Sequence, residues 1–162
     1  MEIRVTRPHF PEGYVPNPQG ILDWSYVEER MRNSLNYWIG TADKLGTPHI
    51  IPVWGVWLEN RLYFDGDPMT RHIRNLQENP RVTVNLESGS QVVILHGRAK
   101  VLKAFGELGR QLAELYGQKY AGMGYEPEPT QWERDGIVEV TPKNVLAWSE
   151  FTTDPTKFTL TF

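Results

Sequence analysis

The chain carries its densest chemistry in five consecutive residues, Thr70-Arg71-His72-Ile73-Arg74. They follow Asp65-Gly66-Asp67-Pro68-Met69, a turn-forming stretch, and open a short helix that closes at Glu78-Asn79-Pro80. The first turn of any helix presents unpaired N–H groups and the positive end of the peptide dipoles. An Arg placed there can grip a phosphate through two parallel hydrogen bonds, and a Thr hydroxyl adds another. These residue types in this order predict an anion site, with Thr70 and Arg71 as anchors and His72 or Arg74 assisting. A capped surface helix with solvated Arg side chains is the alternative reading.

Other chemistries find little support. His9, His49, His72 and His96 are scattered without metal-ligand spacing, and there is no cysteine for a thiolate site, a disulfide or a nucleophile. No Gly-x-Ser-x-Gly elbow, Walker loop or dinucleotide-binding glycine cluster occurs. Glu126 and Glu128 lie in a proline-rich stretch that reads as a solvated loop, and no side chain stands out as a general acid or base. The formal net charge of −3, with no dense Lys/Arg cluster along the chain, argues against nucleic acid as a partner. The first residues lack the apolar run of a signal peptide, and no run approaches the roughly 20 apolar residues that cross a bilayer. The expectation is one domain over residues 1–162, cytoplasmic and without a membrane partner.

The elements that must position the anion site show mostly period two. Tyr37 to Ala42 alternates, turns at Asp43-Lys44-Leu45-Gly46, and continues from Thr47 to Trp57 as a second strand. Both strands are apolar on both faces, which predicts burial on both faces. Glu59-Asn60-Arg61 reads as a tight turn into Leu62-Tyr63-Phe64. After the helix of Thr70 to Glu78, strands are expected over Val82–Leu86 and Gln91–Leu102, joined at Ser88-Gly89-Ser90. Asp23 is a candidate N-cap for a helix from Trp24 to about Ser34, and Phe105 to Tyr120 has helical spacing. Late strands are expected at Gly136–Pro142, Val145–Phe151 and Lys157–Phe162. Four prolines between Pro8 and Pro18 predict that residues 1–20 form an extended arm, neither helix nor central strand.

That order of strand pair, cation-bearing helix start and further strand pair resembles the flavin-binding split β-barrel family, the pyridoxamine 5'-phosphate oxidase-like proteins. The resemblance covers Asn36 to Leu102 well and Gly136 to Phe162 loosely. It implies a mainly antiparallel split β-barrel with peripheral helices, and FMN as the cofactor of a small-molecule oxidoreductase. Thr70-Arg71-His72 matches the family's Ser-Arg-Lys phosphate triplet, with His72 in place of Lys, and Asp65 and Gly66 lead into it. By the same resemblance Pro52, Val53 and Trp54 would line the flavin ring, with Gln91 and Trp148 as further contacts. A homodimer with the site between subunits is also implied. Ile51 stands where the oxidase proper has Arg, and Val56 where it has Lys, which argues against pyridoxamine phosphate as substrate. The departures look more like the branch that uses deazaflavin coenzymes; a deazaflavin-dependent reductase or a non-enzymatic flavin-binding stress protein stays open.

Overall fold

The computed structural model describes every residue from Met1 to Phe162. Nine strands and three helices follow in the order β1 (Glu2–Thr6), α1 (Trp24–Asn33), β2 (Tyr37–Ala42), β3 (Pro48–Val53), β4 (Val56–Leu58), β5 (Arg61–Phe64), α2 (Arg71–Glu78), β6 (Arg81–Asn85), β7 (Val92–Leu102), α3 (Gly106–Tyr120), β8 (Ile137–Trp148) and β9 (Thr156–Thr161). All pairings are antiparallel. The main path runs β1-β9-β8-β7-β6-β2-β3, and β5 joins β8 to β4. β3 and β4 are consecutive in the chain but unpaired, so the sheet curls into a barrel that stays split along β3.

Alternation fills the barrel. Ile39, Val84, Leu95, Val145 and Phe158 lie side by side across β2, β6, β7, β8 and β9, and all are buried. α1 closes one end with Val27 and Met31, and Asp23 caps it by accepting the Ser25 N–H at 2.9 Å. α2 lies against β2, β3 and β7 and inserts Ile73 and Leu76. His72 and Asn75 are buried beside them, and Gln77 is exposed. A second apolar cluster sits under α3, around Tyr63, Leu112, Tyr116, Tyr120 and Trp132.

Several expectations need revision. The strand drawn from Thr47 to Trp57 is two strands, broken at Trp54-Gly55, because the chain passes too close to β5 there for a side chain. A Cβ on Gly55 would sit 2.8 Å from the Tyr63 carbonyl oxygen. Beyond the break, β4 pairs only with β5, through a two-residue turn whose Glu59 and Asn60 both have positive φ. The two late strands are one, β8, which carries an extra residue, Lys143, opposite the His96/Gly97 step of β7. Within residues 1–20, Glu2–Thr6 forms an edge strand on β9; the prolines begin only after it. The rest of the arm is extended and packed, with Phe10 and Tyr14 against Phe151 and the N–H groups of Gln19 and Gly20 on the Thr153 carbonyl.

β3 turns one face inward and leaves the other open in the single chain. Pro48, Ile50 and Pro52 alternate as exposed residues along its outward face, and Ile50 is 58% exposed. No helix of the chain is long and apolar enough to cross a membrane.

Candidate functional site

The start of α2 is built by the turn before it. The Asp67 carboxylate accepts the Met69 N–H at 2.7 Å, and the Asp67 carbonyl accepts both the Thr70 N–H at 2.9 Å and the Thr70 hydroxyl at 2.7 Å. Thr70 therefore occupies the N-cap position with extended backbone, but its side chain does not cap. The first backbone bond of the helix is Arg74 N–H to Thr70 carbonyl at 3.1 Å. The N–H groups of Arg71, His72 and Ile73 are left without an acceptor, as expected of an uncapped first turn.

His72 departs from the surface role its position suggested. It is 5% exposed, turned beneath the helix toward Phe64, and its Nε2 has no hydrogen-bond partner. The atom lies 3.1 Å from where a Cβ on Gly66 would stand, so it faces the turn across the bare glycine. Burial, assisted by the nearby His49, holds the His72 pKa below the ordinary histidine value. A buried polar nitrogen with nothing to bind costs about 1–3 kcal/mol, and such an atom is evidence for a group that completes it. Arg71 and Arg74 are both exposed on the solvent side of the helix.

The end of β3 meets this turn. Trp54, Asp65, Gly66, Asp67, Tyr125 and Trp132 together line a cavity of about 650 Å³, within the size range of cofactor pockets. Trp54 is partly exposed and stacks flat on Tyr120, with ring centroids 4.8 Å apart and planes 10° from parallel. Asp65 faces away from the helix start: its Oδ2 accepts the Tyr125 hydroxyl at 2.6 Å and the Trp132 indole N–H at 3.1 Å. It latches the α3–β8 connection over the cavity. Burial, then the bond to Asp65, pushes the Tyr125 hydroxyl far above its usual range, so it stays a donor.

Sequence reasoning missed the residues that set the strand break. Lys119 donates to the Ser34 carbonyl at 2.9 Å, the Tyr37 hydroxyl at 2.9 Å and the Gly55 carbonyl at 3.2 Å. The Tyr120 hydroxyl accepts the Gly55 N–H at 3.0 Å and lies 2.8 and 2.9 Å from the carbonyls of Leu35 and Gly55. Lys119 has no carboxylate partner, and burial lowers its pKa to about 8. The helical stripe through Tyr116 and Tyr120 was visible in the sequence, but nothing there linked it to Gly55.

Of the expected residues, Trp54, Asp65 and Gly66 line the cavity at the end of β3, and Gly66 faces the buried His72; Pro52, Val53, Thr70, Arg71 and Arg74 do not line it. The structure does not bring Gln91 and Trp148 there. Trp148 pairs with Val92, next to Gln91, at the far side of the sheet. Gln91 accepts a bond from Arg30 at 3.1 Å, and the Trp148 carbonyl accepts one from the Tyr26 hydroxyl at 2.7 Å. Pro52, Trp38, Asn85, Ile94 and Leu146 lie in one row across five strands. Four strand spacings of about 4.8 Å put β8 about 19 Å from β3, so within one subunit the two groups are apart.

A family model described as pyridoxamine 5'-phosphate oxidase matches residues 25–149. Solved structures with the same fold include an F420 reductase (20% identity, 84% of this chain and 98% of that one, TM-score 0.57). They include a putative 5-nitroimidazole antibiotic resistance protein from Bacteroides thetaiotaomicron (14% identity, 98% and 89%, TM-score 0.64). A third is HutZ, the heme storage protein of Vibrio cholerae (18% identity, 76% and 89%, TM-score 0.56). At these identities the likeness is one of fold. No curated protein matches the chain significantly.

Proposed function

This chain belongs to the pyridoxamine 5'-phosphate oxidase family, and from that premise we propose that it binds FMN and acts as an oxidoreductase on a small molecule. The observation that carries the reading is the uncapped start of α2, where three N–H groups have no acceptor and the exposed Arg71 stands beside them. A terminal phosphate accepts hydrogen bonds from the three N–H groups. Thr70 and Arg71 supply a hydroxyl and a guanidinium at the rim. Bound flavin supplies hydride-transfer chemistry. The chain's own contribution is to place and insulate it. β3 is paired on one side only, so alternate residues near its end turn their backbone groups to a free edge that can fix orientation; Pro52 has only a carbonyl to offer. Trp54, held flat by Tyr120, gives an apolar wall. The Lys119–Tyr120 network pins the peptide groups on both sides of Gly55, so that wall does not drift.

The working form in this reading is a homodimer. Pro52, Trp38, Ile94 and Leu146 form a partly exposed apolar row on the outward sheet face, one register step from Ile50 and Gly40, of the kind that a second copy covers. Gln91 and Trp148, about 19 Å from β3 by strand count, reach the ring only from that second copy.

The test is titration of the apo protein with FMN and, in parallel, with a deazaflavin coenzyme, followed by absorbance and fluorescence. Tight FMN uptake that weakens in Arg71→Ala supports the assignment. Deazaflavin uptake without FMN uptake moves the chain to a deazaflavin reductase role, and binding of neither overturns the flavin reading.

A further inference from the structure

A larger concavity, about 910 Å³, lies on the outward face of β2, β3, β6, β7 and β8. Two glycines on its floor are covered closely by neighbouring polar atoms. A Cβ on Gly40 would stand 2.3 Å from the Thr83 hydroxyl oxygen, and one on Gly97 would stand 2.3 Å from the Thr141 carbonyl oxygen. Its walls carry positive charge. Arg81 and Arg98 are direct cross-strand partners on β6 and β7, both exposed. His96, two residues from Arg98, faces outward, and Lys143 is the extra residue that the β8 bulge turns out beside it. No Asp or Glu lines the groove, and none of the three cations has a carboxylate partner.

This placement works against stability. Like charges directly opposite on neighbouring strands repel, and the chain has acids to spare, 20 against 17 Lys and Arg. None is placed to relieve the pair. A bulge that re-aims a cation into a groove already carrying two is a feature of binding surfaces rather than of sheet packing. The chain as written shows no basic run; only the register of β6, β7 and β8 assembles one.

We propose that this groove binds a small polyanion, a molecule with two or more phosphate or carboxylate groups. Arg81 and Arg98 grip it as paired forks, Lys143 adds charge at one side, and His96 adds a ring nitrogen. The site is separate from the start of α2, whose Thr70, Arg71 and His72 do not line the groove, and it does not depend on the flavin reading.

The full chain is titrated calorimetrically with tripolyphosphate, and separately with FMN, over a series of salt concentrations. Wild type binds tripolyphosphate; Arg81→Gln/Arg98→Gln weakens that binding about tenfold or more, and Lys143→Gln by a smaller factor. The double variant also flattens the dependence on salt and leaves FMN binding as in wild type. Arg71→Ala leaves tripolyphosphate binding intact. Loss of FMN binding in wild type with tripolyphosphate binding retained still supports the groove. Wild type that fails to bind tripolyphosphate, or a folded double variant that binds it as wild type does, overturns the proposal. So does a double variant that changes oligomeric mass by light scattering while wild type binds no tripolyphosphate, because the face then belongs to a second copy.

Discussion

The start of α2 and the break between β3 and β4 treat their backbone polar groups in opposite ways. At the break, both peptide groups of Gly55 are held, one by the Tyr120 hydroxyl and the other by Lys119 and Tyr120. At the helix start, three N–H groups and the His72 Nε2 are left open, the last of them buried. Saturation is what a folded chain does for itself. Open N–H groups at the helix start are where a ligand can complete the structure, while the break keeps one orphan of its own, the buried Trp57 Nε1. The saturated region is scaffold and the unsaturated one is receptor, and substitutions in the two should fail differently.

The largest effect is expected at the scaffold. Gly55→Ala forces a methyl group against the Tyr63 carbonyl and should cost about 3 kcal/mol of stability, with FMN affinity lost as a consequence; chemical denaturation measures it. Tyr120→Phe should cost about 2 kcal/mol, because the Gly55 N–H is left buried without an acceptor. Arg71→Ala reverses the pattern. It should leave the thermal midpoint of the apo protein unchanged and weaken FMN by about 2 kcal/mol, roughly thirtyfold, in a fluorescence titration.

The smallest and sharpest effect belongs to His72. Replacing a buried, unpartnered nitrogen by an apolar ring of similar shape removes a penalty, so His72→Phe should leave apo stability equal or higher while FMN affinity drops about tenfold. A fall in stability would show that His72 is scaffold after all and erase the contrast. The pH dependence follows with a definite sign. The folded-state pKa of His72 is lowered, so the neutral ring is the folded form and the unfolded chain binds the proton more readily. Its contribution is therefore complete above the ordinary value of 6.5 and is lost as pH falls below it. Apo wild type should lose thermal stability over that window more steeply than His72→Phe.

The sequence carried the local signals well and the long-range ones poorly. Alternation through Tyr37–Ala42, the Glu59-Asn60 turn and the helix opening after Met69 are written in neighbouring residues, and each is where the spacing put it. The break at Gly55 is invisible locally, because Ile51, Val53, Gly55 and Trp57 keep period two straight through it. What bends the chain there is a carbonyl on β5 and a lysine and a tyrosine on α3, the latter two more than sixty positions downstream. His72 was legible as part of a phosphate motif but not as buried, since an eight-residue helix leaves its inward face undetermined until it is laid on the sheet. The basic groove was unreadable for the same reason: Arg81, Arg98 and Lys143 meet only through pairing.

β8 pairs with β7 along its length, with β5 through Val138–Val140 and with β9 through Asn144–Ala147. Synthesis of the chain gives this arrangement a timetable. Until residues 137–148 leave the ribosome, β4–β5 and β6–β7 are hairpins without a common neighbour, and β1 waits longer still for β9. Contacts this distant in sequence make closure slow. The nascent protein therefore holds apolar strand edges open to other chains for most of its translation, a period when chaperone occupancy matters more to yield than native stability does.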